Sequence, residues 1–185
     1  MSAELQPPLT IGALQLRLVD EADYPFMRSL YRVVRSNELS VTNWTQAAKD
    51  QFCDAQFAQQ DQYYRANYLH ARFFIIEHNA QRLGRLYLSD EPDLLALMDI
   101  SLIESQRGQG HGTAIMQWLT ALADRTQRVM RLYVETDNPA LRLYERFGFQ
   151  PNDRHGVYVK MLRSPATASP TASPTAASSA NLSRD

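Results

Sequence analysis

Three alternating glycines, Gly108, Gly110 and Gly112, lie between a hydrophobic run from Leu94 to Ile103 and an apolar pattern at helical spacing made by Ala114, Ile115, Trp118, Leu119, Leu122 and Ala123. That junction requires a strand, a tight turn and a helix in succession. Backbone without Cβ can curl in the turn and let a ligand approach its N–H groups closely. The first helical turn adds unpaired donors and the positive end of the helix dipole. A phosphate or diphosphate suits such a cradle, although a tight turn needing glycines for its own sake satisfies the same residues.

The full stretch, Gln106-Arg107-Gly108-Gln109-Gly110-His111-Gly112-Thr113, excludes two familiar phosphate loops. A P-loop requires a lysine followed by Ser or Thr directly after its last glycine, and no lysine follows Gly112. A dinucleotide fingerprint spaces its third glycine three residues after the second and opens a βαβ unit, with an acidic residue about twenty positions on. Here the spacing is Gly-x-Gly-x-Gly, deep in the chain. What remains is Arg-x-x-Gly-x-Gly at Arg107, Gly110 and Gly112. Downstream, Asn138-Pro139-Ala140-Leu141-Arg142-Leu143-Tyr144-Glu145-Arg146-Phe147-Gly148-Phe149 reads as a helix of about two and a half turns. Asn138 caps it, Pro139 takes its first position and Gly148 ends it. Leu141, Tyr144 and Phe147 share one face, so Tyr144 reads from the helix alone as a core aromatic.

The glycine segment resembles the acyl-CoA diphosphate loop of the GNAT superfamily of N-acetyltransferases, and the Asn138 segment resembles the second signature of that superfamily. Both occur in the family's order, separated by the predicted strand Val129 to Glu135. The resemblance covers about residues 14 to 162 and implies an α/β (α+β) fold, a mixed and mostly antiparallel sheet split between two strands and flanked by helices. It implies acetyl-CoA as co-substrate, with no metal, and direct attack of a primary amine on the thioester in a ternary complex. Backbone groups of Asp99 to Ile103, including Leu102 and Ile103, would pair with the pantetheine arm. The N–H groups of Gly108, Gln109, Gly110, His111, Gly112 and Thr113 would hold the diphosphate, with Arg107 adding charge and the His111 ring packing or facing solvent. Asn138 would bond the arm or serve as a plain cap. Tyr144 would protonate the departing thiolate, since a phenol of ordinary pKa about 10 keeps its proton at neutral pH. Asp99 and Glu135 are the candidates for the base, with Glu77 a third; a structural role or a water chain satisfies each position equally. A CoA-binding regulatory or adaptor domain without turnover is the competing function, and Tyr144 favours the enzyme.

The remaining sequence gives bounds. The chain of 185 residues, 44% hydrophobic and 21% charged, has the length for one domain, read as residues 1–163. A net charge of −1 offers no basic field for nucleic acid or anionic membrane. No apolar run reaches the roughly 18 residues needed to span a bilayer, and Met1 to Gly12 lacks a secretion signal, so the cytosol is the expected location. Cys53 has no second cysteine to pair with, and His70, His78, His111 and His155 form no ligand-spaced cluster. Residues 164–185 are nearly all Ser, Pro, Thr and Ala and read as a disordered tail.

Pattern and turn chemistry predict strands at 13–19, 71–78, 82–89, 94–103, 129–135 and 156–162 and helices at 25–35 and 45–69 around the two motif helices. Asp20 and Asp23 read as a turn and cap before the first helix. The acceptor is expected to be a small-molecule or peptide amine met by the N-terminal helices. There Gln56, Gln60 and Tyr64 stand four apart on one helical line, either as a polar wall facing the amine or as a solvated face.

Overall fold

A computed structural model describes residues 5–166, so the Ser/Pro/Thr/Ala segment from residue 167 onward lies outside the described residues. Eight strands form one sheet: β1 (Leu9–Ile11), β2 (Leu14–Leu18), β3 (Ala71–His78), β4 (Gln81–Asp90), β5 (Leu94–Leu102), β6 (Val129–Glu135), β7 (Gln150–His155) and β8 (Tyr158–Arg163). Their order across the sheet is β1-β2-β3-β4-β5-β6-β8-β7. Every neighbouring pair is antiparallel except β5 and β6, which run parallel. Helices α1 (Tyr24–Ser40) and α2 (Gln46–Asn67) follow β2, α3 (His111–Arg125) follows β5, and α4 (Leu141–Arg146) follows β6.

Period-two alternation sorts the strand residues onto two cores. Phe74 and Ile76 of β3, Leu86 and Leu88 of β4, and Met130, Leu132 and Val134 of β6 join the Ile115, Met116, Leu119 and Leu122 face of α3. Ile75 and Tyr87 point the opposite way, against Met27 and Tyr31 of α1 and Cys53 and Phe57 of α2. Asp20 caps a short 3-10 turn by accepting from Ala22 N at 2.8 Å. Asp23 accepts from Asp20 N at 3.0 Å and from both terminal nitrogens of Arg17 at 2.6 and 2.7 Å, which ties the start of α1 to β2. Asp23 is almost fully buried, and its bond from Arg17 holds the carboxyl well below its usual range, at about 2.

The alternation breaks once in β5. Tyr87 pairs with Asp99 and Leu88 pairs with Leu97, so Met98 is an extra residue, a β-bulge. Before it, Leu95 and Leu97 face the α3 core. After it the parity reverses: Ile100 and Leu102 pack on the α3 core, while Asp99 and Ser101 share the face of their partners Tyr87 and Arg85. Without the bulge, Asp99 would point into hydrocarbon. The parallel ladder with β6 ends at Leu97 and Leu132, immediately before the bulge, although β5 runs on to Leu102 and β6 to Glu135. The two strands therefore diverge, giving the split sheet expected from the sequence.

Several elements differ from the sequence expectation. Strands β1 and β7 lie outside the predicted set, and both are sheet edges. All six residues of β7, Gln150-Pro151-Asn152-Asp153-Arg154-His155, are exposed, so no alternation marks them, and Pro151 is tolerated because an edge strand can lack a donor. Gly156 turns the β7–β8 hairpin at φ 61°, which moves the start of the last strand to Tyr158. Helix α1 extends past Arg35 to Ser40, with Ser36 and Ser40 hydroxyls donating back to Val33 and Asn37 carbonyls at 2.8 and 2.6 Å. Helix α4 has six residues and begins at Leu141, shorter than Asn138 and Pro139 suggest.

At Gly84 of β4 the backbone of β5 leaves no room for a side chain. A Cβ there would lie 2.1 Å from the Ser101 carbonyl oxygen and 2.9 Å from Leu102 Cδ2. Gly84→Ala should destabilise the fold by about 1–3 kcal/mol or more, as overpacking against backbone does. Chemical denaturation would register this as a lowered midpoint, and an unchanged midpoint would mean that β5 can move away freely.

Candidate active site

The glycine turn adopts the conformation its sequence requires. Gly108 and Gly110 have φ of 73° and 85°, the left-handed region, and Gly110 is the residue before α3. The first N–H groups of α3 are left without intrahelical partners by helix geometry. Gly112 has ordinary backbone, and a Cβ there would meet only Leu143 Cδ2 at 3.7 Å, so protein packing does not demand a glycine at that position. Side chains brace the turn: Gln109 Nε2 donates to the Ser105 carbonyl at 2.6 Å, and His111 Nε2 lies 3.2 Å from Gln106 Oε1. The His111 ring thus packs within the turn, with His78 at 6.4 Å between centroids. Thr113 occupies the first turn of α3. Arg107 folds back, its Nε donating to the Leu102 carbonyl at 3.1 Å, and Ile103 N donates to the Leu83 carbonyl at 2.8 Å. Two of the backbone groups expected to meet a pantetheine arm are therefore already engaged within the chain.

Where β5 and β6 part, a cavity of about 410 Å³ opens between the sheet and helices α1 and α2. Its walls bring together Asp99, Glu135, Asn138 and Tyr144, four residues singled out from the sequence, with Gln60 and Tyr64. Gln56 is not in the wall; its amide lies 3.4 Å from Gln59 Oε1. Glu77 is not in this wall; it pairs with Arg17 of β2 at 2.9 Å. Asn138 Oδ1 accepts from Ala140 N at 2.9 Å and its carbonyl from Leu141 N at 3.1 Å, so it forms an Asx turn just before α4, whose N-cap position is Ala140, and lines the cavity as well.

Six of the nine tyrosines face this space: Tyr31, Tyr64, Tyr68, Tyr133, Tyr144 and Tyr158. Tyr144 is 7% exposed, and its hydroxyl makes no hydrogen bond to a described residue. Burial, with a second contribution from Asp99, pushes its phenol up to about 12. Asp99 is ion-paired: Oδ2 accepts from Arg85 Nη2 at 2.6 Å and Oδ1 from Ser101 Oγ at 2.8 Å. Glu135, at the mouth, accepts from Tyr158 Oη at 3.1 Å and stands 3.7 Å from Arg35 Nη1, which also meets Glu38 at 3.2 Å. Partial burial is the main cause that raises Glu38 above the usual carboxylate range; Arg35 opposes the shift, and Glu135 and Asp137 add to it.

Arg35, Glu38, Arg85, Arg131 and Tyr133 of the wall are not among the residues that sequence reasoning singles out. Part of the signal is present in the chain. Arg131, Tyr133 and Glu135 alternate with the apolar Met130, Leu132 and Val134, and Arg85 sits alone between Gly84 and Leu86.

Residues 69–151 match the model of a protein family described as the acetyltransferase (GNAT) domain. The fold is shared with the PaiA N-acetyltransferase of Thermoplasma acidophilum in complex with coenzyme A, at TM-score 0.63 and 13% identity, covering 82% of this chain and 98% of that one. An acetyltransferase from Thermus thermophilus superposes at TM-score 0.61 with 17% identity, covering 84% and 99% of the two chains. The ribosomal-protein-S18-alanine N-acetyltransferase of Escherichia coli does so at 0.57 with 16% identity, covering 85% and 97%. No curated protein sequence matches the chain significantly. The matched segment holds the glycine turn and the Asn138 helix, so this part of the chain is similar to the acetyltransferase (GNAT) domain, and the fold is the one those acetyltransferases share. Among the described residues, no helix is long and apolar enough to cross a membrane.

With the phenol at about 12, Tyr144 should remain protonated at pH 10, where an ordinary tyrosine is half ionised. Ultraviolet titration of the chain and of its Tyr144→Phe variant should give the same phenolate absorbance at that pH; a deficit of about half a tyrosine in the variant would contradict the assignment.

Proposed function

We propose that this chain transfers an acetyl group from acetyl-CoA to a primary amine by direct attack within a ternary complex. The observation that carries the reading is the hydroxyl of the largely buried Tyr144, which makes no hydrogen bond to a described residue and lines the cavity where β5 and β6 diverge. Acetyl-CoA supplies the activated thioester. The chain's features fit it: the gap beyond Leu97 and Leu132 admits an extended arm, Gly112 leaves room for close approach, and the glycine turn presents helix-terminal N–H groups to a diphosphate. Gly108, Gln109, Gly110, His111, Gly112 and Thr113 hold that diphosphate through their amides. Arg107 adds a positive charge beside them. Backbone from Asp99 to Ile103 aligns the arm, with Leu102 O shared with Arg107. Asn138 braces α4 against the same gap.

As the C–N bond forms and the C–S bond breaks, the amine's proton leaves toward a carboxylate of the cavity, Asp99 or Glu135, directly or through water. Tyr144 gives its proton to the departing thiolate. Holding both reactants in one cavity turns the encounter into an effectively unimolecular step. The high pKa of Tyr144 keeps the donor protonated over the whole working range. The acceptor enters from the side of α1 and α2, whose Tyr31, Arg35, Glu38, Gln60 and Tyr64 form the wall it meets.

Tyr144→Phe keeps the ring and removes only the donor. Turnover, followed as thiol release with acetyl-CoA and a panel of primary amines, should fall by about 10²-fold or more, with acetyl-CoA affinity nearly unchanged. Unaltered turnover would remove Tyr144 from the reaction. Acetyl-CoA binding by the unsubstituted chain with no thiol release for any amine would favour a binding domain without catalysis.

A further inference from the structure

Arg85 is the most anomalous charged group in the cavity wall. It lies in the middle of β4 with 2% exposure, among three rings whose centroids stand 4.9 Å (Tyr87), 5.5 Å (Phe57) and 5.7 Å (Tyr31) from its guanidinium carbon. Nη2 serves both Asp99 at 2.6 Å and Gln60 Oε1 at 3.1 Å. Nε and Nη1 are buried without a hydrogen-bond partner among the described residues. A guanidinium cannot shed its proton, and the ring faces around it attract the cation but cannot neutralise it. Its one counter-charge within hydrogen-bond reach among the described residues is Asp99.

Asp99 has the opposite character. It reaches the cavity because the Met98 bulge turns it there, and its side chain keeps 13% exposure. Each oxygen already accepts one hydrogen bond, from Arg85 or from Ser101, which leaves one lone-pair site on each. The groups that face it from the packed elements are Tyr31 of α1, Tyr64 of α2, Arg85 and Tyr87 of β4, and Tyr144 of α4. Arg85 is the single cation in that set. The other four are phenols, all pushed upward chiefly by burial, with Asp99 adding to the shift.

We infer that Arg85 is a positioning residue that holds Asp99 as a fixed negative charge against the acceptor amine, so that Asp99 orients this amine and does not take its proton. Protonating Asp99 would strand a buried guanidinium without a counter-ion, a state that breaking a buried pair makes strongly unfavourable. The remaining lone pairs of Asp99 accept an N–H of the amine and aim its nitrogen at the thioester carbon. The C–N bond then forms, the proton leaves to Glu135 directly or through cavity water, the C–S bond breaks, and the thiolate takes the proton of Tyr144. This assignment rests on the acetyl-transfer reading and decides between its two carboxylates.

The test is thiol release by the full chain and by Asp99→Asn, Arg85→Met, Arg85→Lys and the Asp99→Asn/Arg85→Met double variant. Acetyl-CoA would be combined with a simple alkylamine, a diamine and a lysine-containing peptide over a range of pH. Asp99→Asn should raise the KM for the amine about tenfold or more, and the acid limb of its pH profile should keep its midpoint. Arg85→Met should reproduce that KM effect, and the double variant should be no worse than either single one, because the pair acts as a unit. Arg85→Lys keeps the charge without the planar fork and should fall between. Loss of the acid limb in Asp99→Asn would make Asp99 the base and overturn the inference, as would a folded Arg85→Met variant with unchanged kinetics. Should Arg85→Met fail to fold, Asp99→Asn and Arg85→Lys decide the matter. Absence of thiol release from the unsubstituted chain with every amine overturns the acetyl-transfer reading itself, an outcome separate from the others.

Discussion

One extra residue in β5 governs the geometry on which the site depends. Met98 interrupts the pairing with β4, and in doing so it exchanges the two faces of the strand. Leucines that pack on α3 give way, two residues later, to a carboxylate and a hydroxyl that face the opposite helices. The parallel ladder to β6 stops at the same point, so a sheet that would otherwise be continuous opens into a wedge. A bulge bends its strand and increases its local twist, which is why one insertion can both re-aim side chains and end a ladder. Gly84 fixes the far end of the bent strand by letting the two backbones approach where no side chain fits. The divergence is therefore held on both sides of Asp99.

The wedge gathers polar groups of a particular kind. Six phenols, three carboxylates and three guanidinium groups share a space of about 410 Å³, and each carboxylate there has an arginine partner. Arg85 answers Asp99 at the floor, while Arg35 stands between Glu38 and Glu135 at the mouth. Such pairing offsets part of the desolvation cost that charged groups carry in a cavity, and low-dielectric walls strengthen the interactions between them. Burial also acts selectively. It raises the phenols of Tyr144 and Tyr64 and leaves them as neutral donors, which suits groups that meet a developing anion.

The parts of this arrangement legible in the sequence are those with a short-range physical signature. Glycine spacing between a strand and a helix locates the turn at 108–113, and alternation locates β3, β4, β5 and β6. Asn138 and Gly148 bracket a helix, although an Asx turn at Asn138 delays its start to Leu141. The edge strands β1 and β7 leave no mark, because their order comes from pairing with β2 and β8 and not from a buried face. Arg85 stays hidden for a related reason. Its meaning comes from Asp99 fourteen residues away on the next strand and from rings on α1, α2 and β4, contacts that no local pattern encodes. Glu38 becomes visible only because α1 runs beyond Arg35.

The central claim is that the glycine turn and the wedge between β5 and β6 form one continuous binding surface for coenzyme A. Hydrogen exchange with and without coenzyme A tests it most directly, because every amide in question is a backbone group. Slowed exchange at residues 108–113 together with 99–103, and little change in β1 and β7, is the predicted result. Protection confined to other parts of the chain, or none at millimolar coenzyme A, would contradict it.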